Sequence, residues 1–419
     1  MKALFTPAQW SLVDLANQFG LDKKPFEERV QWAKDLLPKL YSCNKIFELH
    51  NQFESYIEEA DEPELFTAAL LNVWDITQGR PTGHYVELDS SSSGPQLLSL
   101  LTRCEVGMRN TGTLGDDVPD LYTTIYKIMK ETAPTLELIK RSNVKKAAIP
   151  YVYGSYVSPK KVFGDYYELF TKAYYKAVPR AEAVKNLLIA AWNPNVDYYE
   201  WEMPDGHTVH IKVIVNNQIT FTYNGQPFTY HYEEIGTKEV GDQGTKMLAA
   251  RVTHSFDAYV LREVNARCDY NKEQFLLAKD AIEAYVRGES QTGTDINLKR
   301  LEKLSDKFKQ VSIKGVDHIQ RGFLHGISKT YLLRLLDLIN KSLEYKSTKL
   351  KLIHDGFGAL PSGINGLKTH YNNVCVDSYM SDWLMVIIEQ LTGQDYRKFI
   401  EPPKPEIAKQ IANNKYAIS

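Results

Sequence analysis

The chain has 419 residues, 43% of them hydrophobic and 24% charged. That length and balance exclude a peptide hormone, a small disulfide scaffold and a disordered chain, and they allow several subdomains around a sizeable core. Lys plus Arg number 50 against 52 Asp plus Glu, a formal charge of −2, so any affinity for nucleic acid must be local rather than global.

The longest apolar runs, Leu187 to Trp192 and Trp383 to Ile388, are six residues each and too short to span a bilayer. The opening Met1-Lys2-Ala3-Leu4-Phe5-Thr6-Pro7 lacks the apolar core of a signal peptide. The expectation is a cytoplasmic protein without a membrane segment. Cys43, Cys104, Cys268 and Cys375 form no C-x-x-C pair, which favours free thiols.

Residues 7 to 60 carry apolar side chains at helical spacing, with breaks expected near Gly20 and Pro38. The first 70 residues hold twelve Asp/Glu against seven Lys/Arg, so contact with phosphate is not expected there. His84 to Leu88 alternates like a strand and runs into Asp89, and a Ser90 to Gly94 link leads to the apolar run Leu97 to Leu101. Strand, turn and helix follow, with a carboxylate at the strand's end. From Ile139 to Asn186 there are ten Lys/Arg against three acids, interleaved with tyrosines, a mixture suited to phosphates and base faces. Residues 198 to 232 switch to period two, with Pro204-Asp205-Gly206 and Asn224-Gly225 as turns, which predicts two hairpins. Gly236 to Thr245 reads as an exposed loop. Helical character returns over 271 to 345 with a polar break at Gly288 to Asp295, and 349 to 360 reads as strand with His354-Asp355 at a turn.

Arg141, Lys145, Ile149 and Tyr153 stand at intervals of four and so drift slowly around one face of a helix. Two cations and a phenol on that face, with two carboxylates at distant strand ends, suit two acidic metal ligands opposite a polyphosphate-holding helix, as phosphoryl transfer requires.

These residues resemble the single-subunit RNA polymerases of bacteriophages and mitochondria. Asp89-Ser90-Ser91-Ser92-Ser93-Gly94-Pro95-Gln96 is similar to the family's first palm motif, D-G-S-x-S-G-x-Q. The run from Arg141 through Lys145, Ile149-Pro150 and Tyr153-Gly154 resembles the fingers helix R-x-x-x-K-x-x-x-M-T-x-x-Y-G. Ile353-His354-Asp355-Gly356-Phe357-Gly358 resembles the second palm motif, I-H-D-S-F-G. Two weaker matches lie between them: Trp201 with Pro204-Asp205-Gly206, and His254-Ser255-x-Asp257-Ala258-x-x-Leu261-Arg262. Ser90, Leu97, Pro150 and Gly356 depart from the family's Gly, His, Thr and Ser. Pro150 lacks the N–H that would bond residue 146, and a kink one turn before Tyr153 is expected.

The resemblance implies an α+β right-hand polymerase, largely helical, with a small antiparallel palm sheet and hairpins. It divides into a helical segment over 1–85, palm over 86–138, fingers over 139–270, a helical insertion over 271–345 and palm with a C-terminal foot over 346–419. It implies that Asp89 and Asp355, with the Ser90 carbonyl, hold two Mg²⁺ ions. Arg141, Lys145 and Lys146 would grip the triphosphate, and Lys145 could protonate the leaving pyrophosphate. Tyr153 would stack under the template base and help select ribose. His254 would sit by the minor groove of the nascent pair, and His354 beside the primer or metal-bound groups. Related DNA polymerases carry Glu at the position of Gly94, where Gly leaves room for a 2′-hydroxyl.

The implied activity is DNA-directed RNA synthesis from NTPs on a DNA template. Asp75-Ile-Thr-Gln-Gly79-Arg80 is one residue too long for the family's D-x-x-G-R palm motif. The expectation is therefore a second, smaller subunit carrying that motif and the thumb, as in the two-subunit polymerases of some podoviruses, with a single-stranded-DNA-binding protein as a further partner. Tyr416-Ala417-Ile418-Ser419 resembles the family's short apolar foot. Two rival readings stand beside this one: a primase or DNA polymerase on the same palm, and a non-catalytic nucleic-acid-binding scaffold.

Overall fold

A three-stranded antiparallel sheet brings together two segments that lie far apart in the sequence. In the computed structural model, which describes residues 5–137, 139–193, 196–212, 214–235 and 242–419, β1 (Val86–Asp89), β6 (Leu350–Ile353) and β7 (Gly356–Ala359) pair in the order β1-β7-β6. Val86 and Leu88 are buried while Glu87 and Asp89 alternate outwards, the period-two pattern of a half-buried strand. In the β1–β7 register Asp89 stands opposite Gly356, and Leu88 opposite Phe357. His354 and Asp355 make the two-residue turn between β6 and β7, with His354 in the left-handed region at φ 54°.

Three helices support this sheet and hold the core. Ser93–Leu101 follows β1 and is buried along its whole length. It packs against Asp242–Cys268, which in turn packs against Ile364–Met380. The expected exposed loop at 236–245 is corrected in part: helix begins at Asp242, while 236 to 241 lie outside the described residues.

Both predicted hairpins form, β2 (Tyr198–Glu202) with β3 (Thr208–Lys212) and β4 (Ile214–Tyr223) with β5 (Gln226–Ile235). The first is docked on the central helix by Trp201 Nε1 donating to Ser255 Oγ at 3.3 Å and by Arg262 paired with Asp205 at 2.6 Å. The two weak motif matches thus lie in one contact.

Gly20 marks a break, as expected, at φ 108° inside a π-turn, where an added Cβ would lie 2.6 Å from an Asp61 carboxylate oxygen. Pro38 does not break the chain: the helix Phe26–Ser42 runs through it. Pro38 and Lys34 are both on the solvent side, so the Lys34 carbonyl left without an N–H partner is open to water. The helix Arg141–Val152 likewise continues through Pro150. The four cysteines are free and buried, and among the described residues no helix is long and apolar enough to cross a membrane.

The stretch 271–345 forms Lys272–Val286, Ile296–Phe308 and Lys329–Leu343 with a 3₁₀ turn at Ile313–His318. Glu263 of the central helix accepts from Ser312 Oγ and from the Ile313 N–H at 2.8 Å, and pairs with Arg267 at 2.9 Å. Arg267 also meets Asp377 at 2.7 Å. Replacing Arg267 by Met strands buried Glu263 and should cost about 3–5 kcal/mol. Urea unfolding of the variant checks this.

Candidate active site

The two motif carboxylates, far apart in sequence, meet at one end of the three-stranded sheet. They open into a cleft of about 1460 Å³ whose lining includes Asp89, Ser90, Gly94, Arg141, Lys145 and Tyr153, together with His254, Asp257, His354 and Asp355. Asp89 accepts the Ser90 N–H at 3.0 Å, and an added Cβ at Gly356 would lie 3.6 Å from its Oδ1. Crowding by the cleft walls, together with the Asp355 charge, pushes the Asp89 carboxyl up to about 6. Ser90 is held by Gln96, which accepts from its hydroxyl at 2.8 Å.

The opposite wall is the Arg141–Val152 helix and the residues that cap it. Lys145 is exposed and lines the cleft, whereas Lys146 is exposed outside it. Arg141 is paired with Asp120 at 2.8 Å and also reaches Thr123 Oγ1 at 3.1 Å. Its guanidinium is therefore tied to the start of the preceding helix, Leu121–Thr132, rather than free in the cleft. Tyr153 terminates the helix, hydrogen-bonds Ser93, and lies 4.7 Å from the His254 ring, centroid to centroid. An added Cβ at Gly94 would come within 3.4 Å of the Tyr153 hydroxyl, so the helix after Asp89 closely approaches the end of the Arg141–Val152 helix at that glycine. Burial, then Arg251 and His354, hold His254 below the usual imidazole range.

Sequence reasoning assigned no role to Asp257. Its carboxylate meets Ser93 Oγ at 3.4 Å and is pushed up to about 7, first by burial and then by the Asp355 charge. The signal was present in the His254-to-Arg262 match, but one acid within a helix points to no chemistry until its neighbours are known. The folded carboxyl titrates above its unfolded value of 3.8. Ionisation therefore opposes folding: the penalty is absent below about pH 4, grows as the pH rises and is complete above about 7. Asp257→Asn should stabilise the protein by about 2–4 kcal/mol at pH 8 and by little at pH 4. Chemical denaturation at the two pH values tests the sign.

The acidic first 70 residues also form part of the cleft. Asn17, Asp22, Lys23 and Asp61 line it, and Lys23 lowers the Asp89 carboxyl while Asp22 raises it. Buried Arg29 fixes this wall by donating to Asn17 Oδ1 and to the carbonyls of Asp22 and Lys24, each at 2.7 Å. Asp75 and Arg80 pair with each other at 2.6 Å, beside Trp74, and do not line the cleft.

A carboxylate pair at a strand end and turn thus lies across one cleft from the helix that carries Arg141 and Lys145. Residues 6–159 match the family model described as DNA-dependent RNA polymerase. The match covers little more than a third of the chain and supports a relationship to that family, whose single-subunit phage and mitochondrial type the motifs resemble and whose enzymes are nucleotidyltransferases. The matched segment carries Asp89 and the Arg141–Val152 helix, and Asp355 lies beyond it. No curated protein matches the chain.

Proposed function

We propose that this chain is the catalytic subunit of a DNA-directed RNA polymerase, joining NTPs to an RNA 3′-hydroxyl on a DNA template. The observation that carries the reading is the meeting of Asp89 and Asp355 in one cleft opposite Lys145 and Tyr153.

The donor set fits Mg²⁺. Asp89 and Asp355 supply hard oxygens, and the Asp89 carboxyl is raised first by burial and then by the Asp355 charge, both of which a divalent cation would offset. Asp89, Asp355 and the Ser90 carbonyl would hold two Mg²⁺ ions. Bound there, the ions would supply Lewis acidity toward the RNA 3′-hydroxyl and positive charge toward the triphosphate and pyrophosphate.

The chain's own groups bind and orient. Lys145 presents its ammonium to the triphosphate and can protonate the departing pyrophosphate. Arg141, held by Asp120, fixes the start of the fingers helix and adds positive potential, and Lys146 extends that potential outside the cleft. Tyr153 stacks under the template base, and its hydroxyl lies close to Gly94, where the lack of a side chain adds no bulk beside the sugar and so favours ribose. His254, its ring tilted 52° to that of Tyr153, faces the nascent pair, while His354 at the β6–β7 turn meets the primer end or metal-bound groups.

In this reading 1–85 packs on the palm, 86–138 and 346–419 form the palm, 139–270 the fingers, and 271–345 an insertion braced through Glu263. A second polypeptide supplies the D-x-x-G-R motif and thumb, and a single-stranded-DNA-binding protein aids recruitment, in keeping with phage transcription in the host cytoplasm. Lys145→Ala should lower kcat for incorporation by about 10²-fold, the usual weight of a positioned proton donor. Single-turnover kinetics on a primed template test it, and wild-type rates in the variant would remove Lys145 from the mechanism.

A further inference from the structure

Lys368 lies on the helix Ile364–Met380, is 2% exposed, and no role above uses it. Its ammonium donates to the Ile418 carbonyl and stands 4.9 Å from the Phe26 ring centre and 5.9 Å from that of Trp10. Among the described residues no carboxylate pairs with it. Burial, then the Arg29 charge, brings it down to about 7. A Met would fill the same space without the cost of burying a cation, so the side chain's distinctive contribution is its hydrogen bond.

That bond lies in the middle of a segment laid along the end of β1. The Ala417 carbonyl accepts from Gln96 Nε2 at 2.9 Å, and the Ser419 N–H donates to the Asp89 carbonyl at 3.0 Å. Gln96 in turn accepts from Ser90 Oγ at 2.8 Å and from Tyr371 at 2.9 Å. The backbone of Asp89 and the side chain of Ser90 are therefore tied to residues 417–419, whose central carbonyl Lys368 holds.

We propose that Lys368 is a positioning residue for the cation-binding end of β1: by holding the Ile418 carbonyl it sets the Ser419 N–H against Asp89 and, through Ala417 and Gln96, steadies Ser90. This rests on the reading of Asp89 and Asp355 as divalent-cation ligands. Residues that orient ligands without touching the ion commonly change affinity by about 10- to 100-fold when replaced.

The test is Mn²⁺ binding to the full chain, followed by electron paramagnetic resonance of the free ion, with thermal unfolding alongside. Lys368→Met should unfold at or above the wild-type temperature, since a buried charge is gone, yet bind Mn²⁺ about tenfold more weakly. Ser419→Pro, which removes the N–H donated to Asp89, should weaken binding similarly. The double variant should be no worse than either single one, because both changes cut one path. Wild-type Mn²⁺ affinity in Lys368→Met, or losses that multiply in the double variant, would overturn the proposal. Should Lys368→Met fail to fold, wild-type affinity in Ser419→Pro would overturn it instead. If the wild-type chain binds no more Mn²⁺ than Asp355→Asn, the metal reading of the carboxylates itself fails, which is a different result from a normal wild type with an unaffected Lys368→Met.

Discussion

Asp355→Asn is expected to reduce template-directed ribonucleotide incorporation by on the order of 10³-fold or more while leaving the fold intact. The amide keeps the size of the β6–β7 turn residue but removes the charge opposite Asp89. Loss of one carboxylate from a two-ion site removes several kcal/mol of transition-state charge stabilisation, and about 4 kcal/mol is already 10³-fold. Stability should move the other way. The Asp355 charge raises both Asp89 and Asp257, so its removal lets their carboxyls fall and lessens the penalty for ionising them at pH 8. A variant that is inactive yet melts at or above the wild-type temperature is the expected signature. A variant inactive only because it unfolds would not support the assignment.

Gly94→Glu should lower kcat/KM for ATP by on the order of 10²-fold and reduce it less for dATP. An added Cβ meets Val152 Cγ2 at 3.3 Å and the Tyr153 hydroxyl at 3.4 Å, so the neighbours must give by a few tenths of an ångström. The carboxylate beyond it would enter the space beside Tyr153 assigned to the ribose 2′-hydroxyl. A site asked to accommodate a hydroxyl against a filled, charged wall loses several kcal/mol relative to the analogue without it. Competition between ATP and dATP on one template reads the ratio directly. Equal losses for both nucleotides would mean that Gly94 serves only helix packing.

Much of this was legible because the informative residues are local. Alternation over 84–88 places Asp89 at a strand end, and Asn224-Gly225 and Pro204-Asp205-Gly206 mark both hairpins before any tertiary contact is known. The four-residue spacing from Arg141 to Tyr153 defines one helix. What the sequence hides is pairing between distant segments. Nothing near Arg141 announces that Asp120 takes its guanidinium, and nothing near Asp257 announces Ser93 and Asp355. The acid-rich composition of the first 70 residues does not show that Asp22 and Lys23 are turned into the cleft by a π-turn at Gly20. Pro38 misleads because it and Lys34 lie on the exposed face, where the carbonyl that loses its N–H partner can bond water and the helix tolerates the proline.

The central claim is that Asp89 and Asp355 form a cation-dependent nucleotidyl-transfer site for ribonucleotides. Its most direct test is incorporation of labelled NTPs on a single-stranded DNA template, with the full chain purified from its native source together with any polypeptide that co-purifies, in Mg²⁺ and in EDTA, for the wild type and Asp355→Asn. The account predicts RNA synthesis that needs Mg²⁺, prefers NTPs to dNTPs and is lost in the variant. Synthesis that persists in Asp355→Asn, or a wild-type preparation with its accompanying polypeptide that makes no RNA, would contradict it.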